Sequence, residues 1–175
     1  LGLKAVLEEW GARNVTELDW WEPFKINGVK IQPTPVKHWS KRSFFDRNKT
    51  LWAGWMVQWS DFAFFFAGDT GYSSDFKKTA NRLGKPDLAA IPIGAYEPRE
   101  FMKSAHINPE EAVKVFMDLG AKYAIGIHWG TFKLTLELMN EPPIRLTKAL
   151  NAAGIDSNAF RALKHGETWP DVLPK

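Results

Sequence analysis

The first seventy residues combine short apolar runs with turn residues, a pattern that is typical of strands joined by hairpins. Asn27-Gly28 separates two such runs and is a strong β-hairpin signal. Residues 62–68, FAFFFAG, are apolar without alternation, which predicts a strand buried on both faces. A turn at Ser60-Asp61 precedes that run, and a helix is predicted over 2–11. The other strands of this part are predicted over 14–21, 24–26, 29–36 and 51–59.

After residue 70 the pattern changes to strands that alternate with helices. Residues 108–120 form the clearest helix, because Asn108 suits the N-cap, Pro109 the first helical position and Gly120 the end. Hairpins followed by this alternation predict an α/β fold, with a mixed sheet and flanking helices. The further helices are predicted over 73–84 and 143–154, and the further strands over 86–94, 122–127 and 160–169.

The composition is that of a folded globular chain. Its 175 residues are 45% hydrophobic and carry a net charge of +3, and the cations are mixed with acids, so no nucleic-acid partner is expected. The absence of cysteine excludes disulfides and thiolate metal sites. The apolar runs are too short to span a bilayer and no signal peptide is visible, so we expect a cytoplasmic or peripheral-membrane location. Because the chain begins with Leu1, we expect it to be part of a longer protein.

Three apolar strands lead into side chains that can bind a metal ion. His38, Asp69 and His128 each follow the end of a predicted strand. In layered α/β folds such strand ends share one edge of the sheet, where functional sites are built. Two imidazoles and one carboxylate, without cysteine, suit zinc or another divalent transition metal. The carboxylate is also able to bridge two ions.

Each of these residues also has a purely structural interpretation. His38 suits a hydrogen-bonded loop position, and His128 suits a buried, satisfied one. Asp69 suits an Asx-turn with the two residues after it, or the cap of the next helix. His106 precedes a helix cap and fits the start of that helix, whereas His165 is predicted to be a surface residue. The joint placement at strand ends favours a site.

Four segments together carry a family resemblance: TPVKHWSKRSFFDRNKTLWAGWMV, FAGDTGY, LAAIPIGAYEPREFMKSAHINPEEA and GIHWGTF. They resemble the metallo-β-lactamase superfamily. More narrowly, they resemble the branch that contains N-acyl-phosphatidylethanolamine-hydrolysing phospholipase D and bacterial RomA-like proteins, over residues from about 30 to about 168. The string GAYEPR, followed by Met, His and NPEEA, is far more specific than the GD and late His of the superfamily as a whole.

The resemblance implies a centre of two divalent metal ions, usually zinc. His38 would bind one ion, Asp69 would bridge both, and His128 would complete the ligands of the other. His106 would line the pocket and contact the substrate or stabilise the leaving phosphate instead of binding metal. Asp69 and His106 are therefore the catalytic residues that the resemblance implies, with His106 also binding substrate.

The first signature of the superfamily, H-x-H-x-D-H, is absent from the chain. Residues 1–175 are therefore interpreted as a single partial domain, the C-terminal half of an αββα sandwich. Its N-terminal half would be missing or belong to a partner chain, and a homodimer is a further arrangement to consider. Because the ligand set is then incomplete, we predict weak or no metal binding by this chain alone.

The resemblance implies a metal-dependent hydrolase, a phosphodiesterase of phospholipase D type that acts on N-acyl phosphatidylethanolamine-like lipids as part of a longer protein. A phospholipid substrate implies peripheral contact with a bilayer. Residues 41–49, KRSFFDRNK, mix cations with Phe, which suits such an interface, although a solvated loop with two anchoring Phe fits equally well. The alternatives are another hydrolase of the superfamily, acting on a different phosphodiester, a lactone or an amide, and a non-catalytic truncated fragment.

Overall fold

The computed structural model describes residues 1–169. The strands are β1 (Phe24–Ile26), β2 (Val29–Thr34), β3 (Gly54–Gln58), β4 (Ala63–Phe66), β5 (Leu88–Pro92), β6 (Tyr123–Ile127) and β7 (Phe160–Arg161). They form one sheet whose spatial order follows the chain order. Pairing is antiparallel from β1 to β4 and parallel from β4 to β7. The predicted mixed sheet with flanking helices is therefore confirmed.

The helices occupy the connections that the sequence predicted, with one addition. They are α1 (Lys4–Glu9), α2 (Asp75–Leu83), α3 (Arg99–Met102), α4 (Pro109–Leu119) and α5 (Glu141–Ala152), of which the short α3 was not predicted. In α4 the side chains of Asn108 and Glu111 cap each other's backbone N–H groups, and Gly120 ends the helix in a left-handed conformation. Within the described residues, no helix is both long and apolar enough to cross a bilayer.

The carboxyl ends of β2, β4, β5 and β6 lie at the same edge of the sheet. Because β2 is antiparallel to β3, and β3 is antiparallel to β4, β2 runs in the same direction as β4, β5 and β6. The carboxyl ends of these four strands therefore lie side by side. His38, Asp69 and His128 follow β2, β4 and β6, and the connection after β5 leads to His106. This direction of the strands is what gathers the polar residues.

One face of the sheet is covered by helices and forms the core. The register aligns Met56, Phe65, Ala89 and Ala124 in one row across adjacent strands, and all four are fully buried. Phe76 of α2 meets Phe65 edge to face, with ring centroids 6.2 Å apart. Apolar side chains of α4 and α5 complete this cluster: Val113, Val115, Phe116, Leu119, Leu146 and Leu150.

The opposite face of the sheet is apolar but only partly covered. Trp55 and Phe66 pair across β3 and β4 on this face and are 37% and 40% exposed. The prediction that residues 62–68 are buried on both faces is therefore wrong within the described structure. Alternate side chains of a strand point to opposite faces, so Phe65 enters the core while Phe66 does not.

The predicted strand over 14–21 is also wrong, because its side chains are used to fasten neighbouring segments. The Glu17 carboxylate accepts hydrogen bonds from the backbone N–H groups of Leu3 and Lys4, at 2.7 and 3.0 Å. These groups belong to the start of α1, where N–H groups lack partners within the helix. The indole N–H of Trp20 donates to the carbonyl of Trp52 at 2.7 Å.

The last predicted strand, over 160–169, is much shorter than expected. Only Phe160 and Arg161 pair with the sheet. The chain then folds back on itself, since the Arg161 guanidinium and the Lys164 backbone N–H both donate to the Glu167 carboxylate. Local charge pairing thus replaces continued strand pairing.

Candidate metal centre

The loops that carry His38 and Asp69 are tied to each other by backbone and side-chain hydrogen bonds. The N–H of Gly71 donates to the carbonyl of Lys37 at 2.7 Å, and the N–H of Lys37 donates to the Thr70 hydroxyl at 3.1 Å. Lys37 and Gly71 form an isolated antiparallel bridge. The end of β2 and the end of β4 are therefore fixed relative to each other just beside the two candidate ligands.

Asp69 does not fill either structural role that the sequence allowed. Within residues 1–169, its carboxylate accepts no hydrogen bond from the turn that follows, and α2 has Ser74 at its N-cap position. One carboxylate oxygen instead lies 3.3 Å from Nε2 of His128, and the Asp69 side chain is 41% exposed. Asp69 therefore faces the neighbouring strand end across the top of the sheet.

His128 is held in a left-handed backbone conformation, with φ of 60°, directly after β6. A side chain at Gly94 would collide with the carbonyl oxygen of His128, so glycine is required two residues after the end of β5. The indole N–H of Trp129 donates to the carbonyl of Gly126 at 3.2 Å. This close approach of two strand ends turns the His128 ring towards Asp69.

His106 is positioned by the segment between α3 and α4. The Arg99 guanidinium donates to the carbonyl of His106 at 2.8 Å and to the Glu111 carboxylate at 2.7 Å. Glu111 belongs to the capping box of α4, so the same carboxylate links Arg99 to the start of that helix. The backbone of His106 is thereby fixed between two helices.

The four side chains converge into one cluster. The His106 ring centroid lies 5.3 Å from that of His38 and 5.5 Å from that of His128. His38, Asp69 and His106 each offer a ligand atom within 4.8 Å of the others. Because Asp69 also reaches His128, the structure brings all four predicted site residues together at the sheet edge.

Three ring nitrogens of this cluster are buried and lack a hydrogen-bond partner among the described residues. They are Nε2 of His38, Nδ1 of His106 and Nδ1 of His128. Buried polar atoms are normally paired, so one such atom on each of three neighbouring rings requires an explanation. Unpaired imidazole nitrogens beside a carboxylate are the donor set that zinc and similar ions bind. The residues present therefore fit a metal ion.

Comparison with known proteins identifies the family of this site. The model of the beta-lactamase superfamily domain matches residues 1–129. The chain belongs to the metallo-β-lactamase superfamily. It is 44% identical over 181 residues to N-acyl-phosphatidylethanolamine-hydrolyzing phospholipase D 1 of Caenorhabditis elegans, an alignment that covers 97% of this chain and 51% of the worm protein. This places the chain in the superfamily branch that its motifs indicated.

Two further similarities agree with this assignment. The mitochondrial N-acyl-phosphatidylethanolamine-hydrolyzing phospholipase D of Saccharomyces cerevisiae is 38% identical, over 91% of this chain and 36% of the yeast protein. The structure of Igni18, a metallo hydrolase from Ignicoccus hospitalis, superposes with a TM-score of 0.72 at 21% identity, over 96% of this chain and 65% of that one. The chain therefore has the fold of a metal-dependent hydrolase. It spans about half or less of the curated relatives' length.

In this metallo-β-lactamase fold, the surroundings of His106 shift the pKa of its imidazole. Burial lowers the pKa of His106, and the neighbouring His128 and His38 lower it further, while the Asp69 carboxylate acts in the opposite direction. The net effect is a lowered pKa, so His106 is a neutral imidazole at pH 7. A neutral ring can donate one hydrogen bond and accept another, or bind a metal ion.

His165 contributes a contact that the sequence did not reveal. It is a surface residue, as predicted, but its Nε2 lies 3.0 Å from the Thr131 hydroxyl and its ring packs against Trp129 at 6.1 Å between centroids. Both partners belong to the segment that follows His128. His165 therefore supports the loop that carries a candidate ligand. The sequence offered one indication of such a role: His165 lies in LKHGE, within the last residues of the segment that resembles the family.

The division of roles among the four residues stays a prediction. The assignment of His38, Asp69 and His128 to metal, and of His106 to substrate, rests on the resemblance. The geometry also allows His106 to act as a ligand, because its nearest ring atom lies within reach of both His38 and Asp69.

Proposed function

We propose that this chain forms the substrate-facing half of a metal-dependent phosphodiesterase of phospholipase D type that acts on N-acyl phosphatidylethanolamine-like lipids. The observation that carries the proposal is the convergence of four residues, with three unpaired buried imidazole nitrogens, at one sheet edge. The 44% identity to the worm phospholipase supports the substrate class. Contact with the surface of a bilayer follows from such a substrate.

His38, Asp69 and His128 would hold two divalent ions, with zinc as the expected metal and Asp69 between the two. Ions held there would lower the pKa of a water molecule and supply a hydroxide nucleophile near neutral pH. Its proximity to the histidines supports this role, because one carboxylate oxygen of Asp69 lies 3.3 Å from Nε2 of His128 and its carboxylate also offers a ligand atom within 4.8 Å of those of His38 and His106. Binding between cations would also compensate its partial burial.

His106 would contact the phosphate of the substrate. Its ring lies between those of His38 and His128, so a phosphodiester that reaches the metal ligands also reaches His106. As a neutral imidazole it would donate a hydrogen bond from one ring nitrogen to a phosphate oxygen as negative charge develops there. The Arg99 contact to its backbone would keep the ring in place during this step.

The remaining ligands would come from a polypeptide segment outside this chain, whether in the same protein or in a partner. His38, Asp69 and His128 offer two imidazoles and one carboxylate, whereas two ions need more donors than these residues provide. The curated relatives are about twice as long as this chain or longer, which is the basis for placing the other donors in a further segment.

The test uses the longer protein that carries this chain. Metal content is measured by mass spectrometry, and release of phosphatidate from N-acyl phosphatidylethanolamine is followed by chromatography. Asp69→Asn should abolish both bound metal and turnover, whereas Asp61→Asn, the same change at the exposed turn before β4, should alter neither. No metal uptake would refute the proposal. Turnover confined to other phosphodiesters, lactones or amides in a substrate panel would replace the lipid by that class, and metal without any turnover would favour a non-catalytic chain.

A further inference from the structure

We propose that residues 39–47 and residues 131–139, here named the basic loop and the leucine loop, form one docking surface for an anionic phospholipid bilayer. The inference deepens the proposed function, since an enzyme acting on phospholipid must meet its substrate in a membrane. It names the residues that make this contact and the lipid charge that they require. Docking itself is measured without substrate, so each proposal can fail alone.

The first observation is an unusual concentration of exposed apolar side chains. In the basic loop, Phe44 and Phe45 are 88% and 87% exposed. In the leucine loop, four large apolar side chains are 64% to 74% exposed: Phe132, Leu134, Leu136 and Leu138. Single exposed apolar residues are ordinary, but clusters of this kind mark a surface that contacts another apolar phase.

The second observation concerns the carboxylates of the two loops, which are used internally. Asp46 accepts hydrogen bonds from the backbone N–H groups of Arg42 and Ser43. Glu137 accepts hydrogen bonds from the N–H groups of Ala95 and Glu97, and from the Thr135 hydroxyl. Among the ion pairs of residues 1–169, neither carboxylate pairs with a cation of the two loops.

The cations of the basic loop lie over aromatic rings rather than beside acids. Lys41 lies 5.1 Å from the ring centroid of Phe44, and Arg47 lies 5.1 Å from that of Trp39. Lys41, Arg42 and Arg47 outnumber the single Asp46, which leaves this loop with an excess of positive charge. Cations among exposed Phe and Trp are the composition that binds at the interface of an anionic membrane.

The third observation is that the two loops flank the candidate metal centre. Trp39 stacks on His38, with ring centroids 5.6 Å apart and planes 6° from parallel. On the other side, Phe132 and Leu134 line a groove with His128. A bilayer seated on both loops would therefore present its phosphate groups close to the four clustered residues.

A protein partner explains these features less well than a bilayer does. Burying the basic loop under a protein would desolvate its cations, and its only acid is already engaged by backbone N–H groups. A lipid surface keeps such cations at the headgroup level while Phe and Leu enter the acyl region. The charge of the basic loop thus selects anionic lipid as the occupant.

The test measures partition of the protein onto vesicles by flotation, at two compositions that both lack N-acyl phosphatidylethanolamine. One vesicle is phosphatidylcholine alone, and the other contains phosphatidylserine in addition. Partition should be stronger with phosphatidylserine, and high salt should remove that difference. Lys41→Gln/Arg42→Gln should weaken binding to the anionic vesicles about 25-fold, from about fivefold per cation, and should leave binding to phosphatidylcholine unchanged.

Further variants test the apolar part of the surface. Phe44→Ser/Phe45→Ser and Leu134→Ser/Leu136→Ser should each reduce partition about tenfold or more on both vesicles, since each removes two apolar side chains from the acyl region. Matched controls are Lys25→Gln/Lys148→Gln for charge and Met117→Ser for an exposed apolar residue on α4. Trp55→Ser tests whether the exposed sheet face binds vesicles instead.

Equal partition onto both vesicle types, or loop variants that bind like the parent, would overturn the docking surface. Loss of vesicle binding in Trp55→Ser alone would overturn it in favour of the sheet face. If the loop variants change the oligomeric mass in solution, but neither the parent nor any variant binds vesicles, the surface contacts protein instead of lipid. Vesicle binding without hydrolysis of a soluble short-chain phosphodiester would leave docking intact and count against the proposed function. Hydrolysis of that phosphodiester without vesicle binding would support the proposed function and count against docking.

Discussion

The two faces of the sheet use the same strands but differ in what covers them. On the helix-covered face, Met56 and Phe65 are fully buried under α2, α4 and α5. One residue away on each strand, on the other face, Trp55 and Phe66 keep more than a third of their surface exposed. Both faces are apolar, so the hydrophobic pattern alone does not distinguish them. The comparison shows that burial is decided by the covering layer.

The exposed face has the apolar composition of a protein core, but within residues 1–169 no complete second layer covers it. Large aromatic side chains on one face of a sheet normally pack against a second layer. At one side of that face, residues of the segment around α1 line a pocket together with Pro33, Ala53 and Trp55. The interpretation of residues 1–175 as one half of an αββα sandwich remains a prediction, and the exposed face is the structural feature that it would explain.

The largest expected difference between the faces is in stability. Phe65→Ala should lower the free energy of unfolding by about 3–5 kcal/mol, because the cavity lies beneath helices that cannot collapse into it. Phe66→Ala, one residue away on the exposed face, should cost about 1 kcal/mol or less. Urea unfolding followed by circular dichroism measures both. Equal losses would mean that the second face is covered in solution.

Much of this organisation was predictable from local signals. The Asn27-Gly28 hairpin and the capping residues of α4 specify their own geometry, so both were predicted correctly. The strand over 14–21 was not, since Glu17 and Trp20 act through contacts with distant segments. An apolar run identifies a strand but carries no information about which layers cover it.

The site was predictable to a similar degree. Strand ends identified His38, Asp69 and His128, because chemistry and strand direction suffice to place them. The position of His106 depended on family resemblance, and the support from Arg99 and His165 came only from the structure. These two residues act through other residues, and nothing in their local sequence marks such a role.

Zinc affinity tests the proposal that a segment outside this chain supplies further ligands. The proposal predicts that this chain alone binds zinc more weakly than a longer protein that contains it, by on the order of 100-fold or more, because fewer donors would surround the ion. Competition with a chromophoric chelator measures the two dissociation constants. Equal affinity of chain and longer protein would place the complete ligand set in this chain.

His165→Ala in the longer protein should weaken zinc binding about tenfold by loosening the loop of His128, whereas His165→Gln should retain more of the affinity.

Trp55→Ser examines the exposed face directly. In this chain it should cost about 1 kcal/mol of unfolding free energy and reduce the binding of a dye that reports exposed apolar surface. In the longer protein the same change should cost about 3 kcal/mol, provided that a second layer covers Trp55. The ratio of the two losses, obtained from parallel denaturant titrations, thus reports whether that layer is present. Identical losses would indicate that the face stays open in both proteins.

Thr79→Val gives the smallest effect and tests how tightly the covered face is sealed. Thr79 lies on the buried side of α2, and within residues 1–169 its hydroxyl has no hydrogen-bond partner. A buried, unpaired hydroxyl costs free energy, so replacing it by a methyl group of similar shape should stabilise the chain by up to about 1 kcal/mol. Asn81→Ala, on the exposed side of the same helix, is the control for helix propensity. A loss of stability in Thr79→Val would mean that the hydroxyl is hydrogen-bonded in solution.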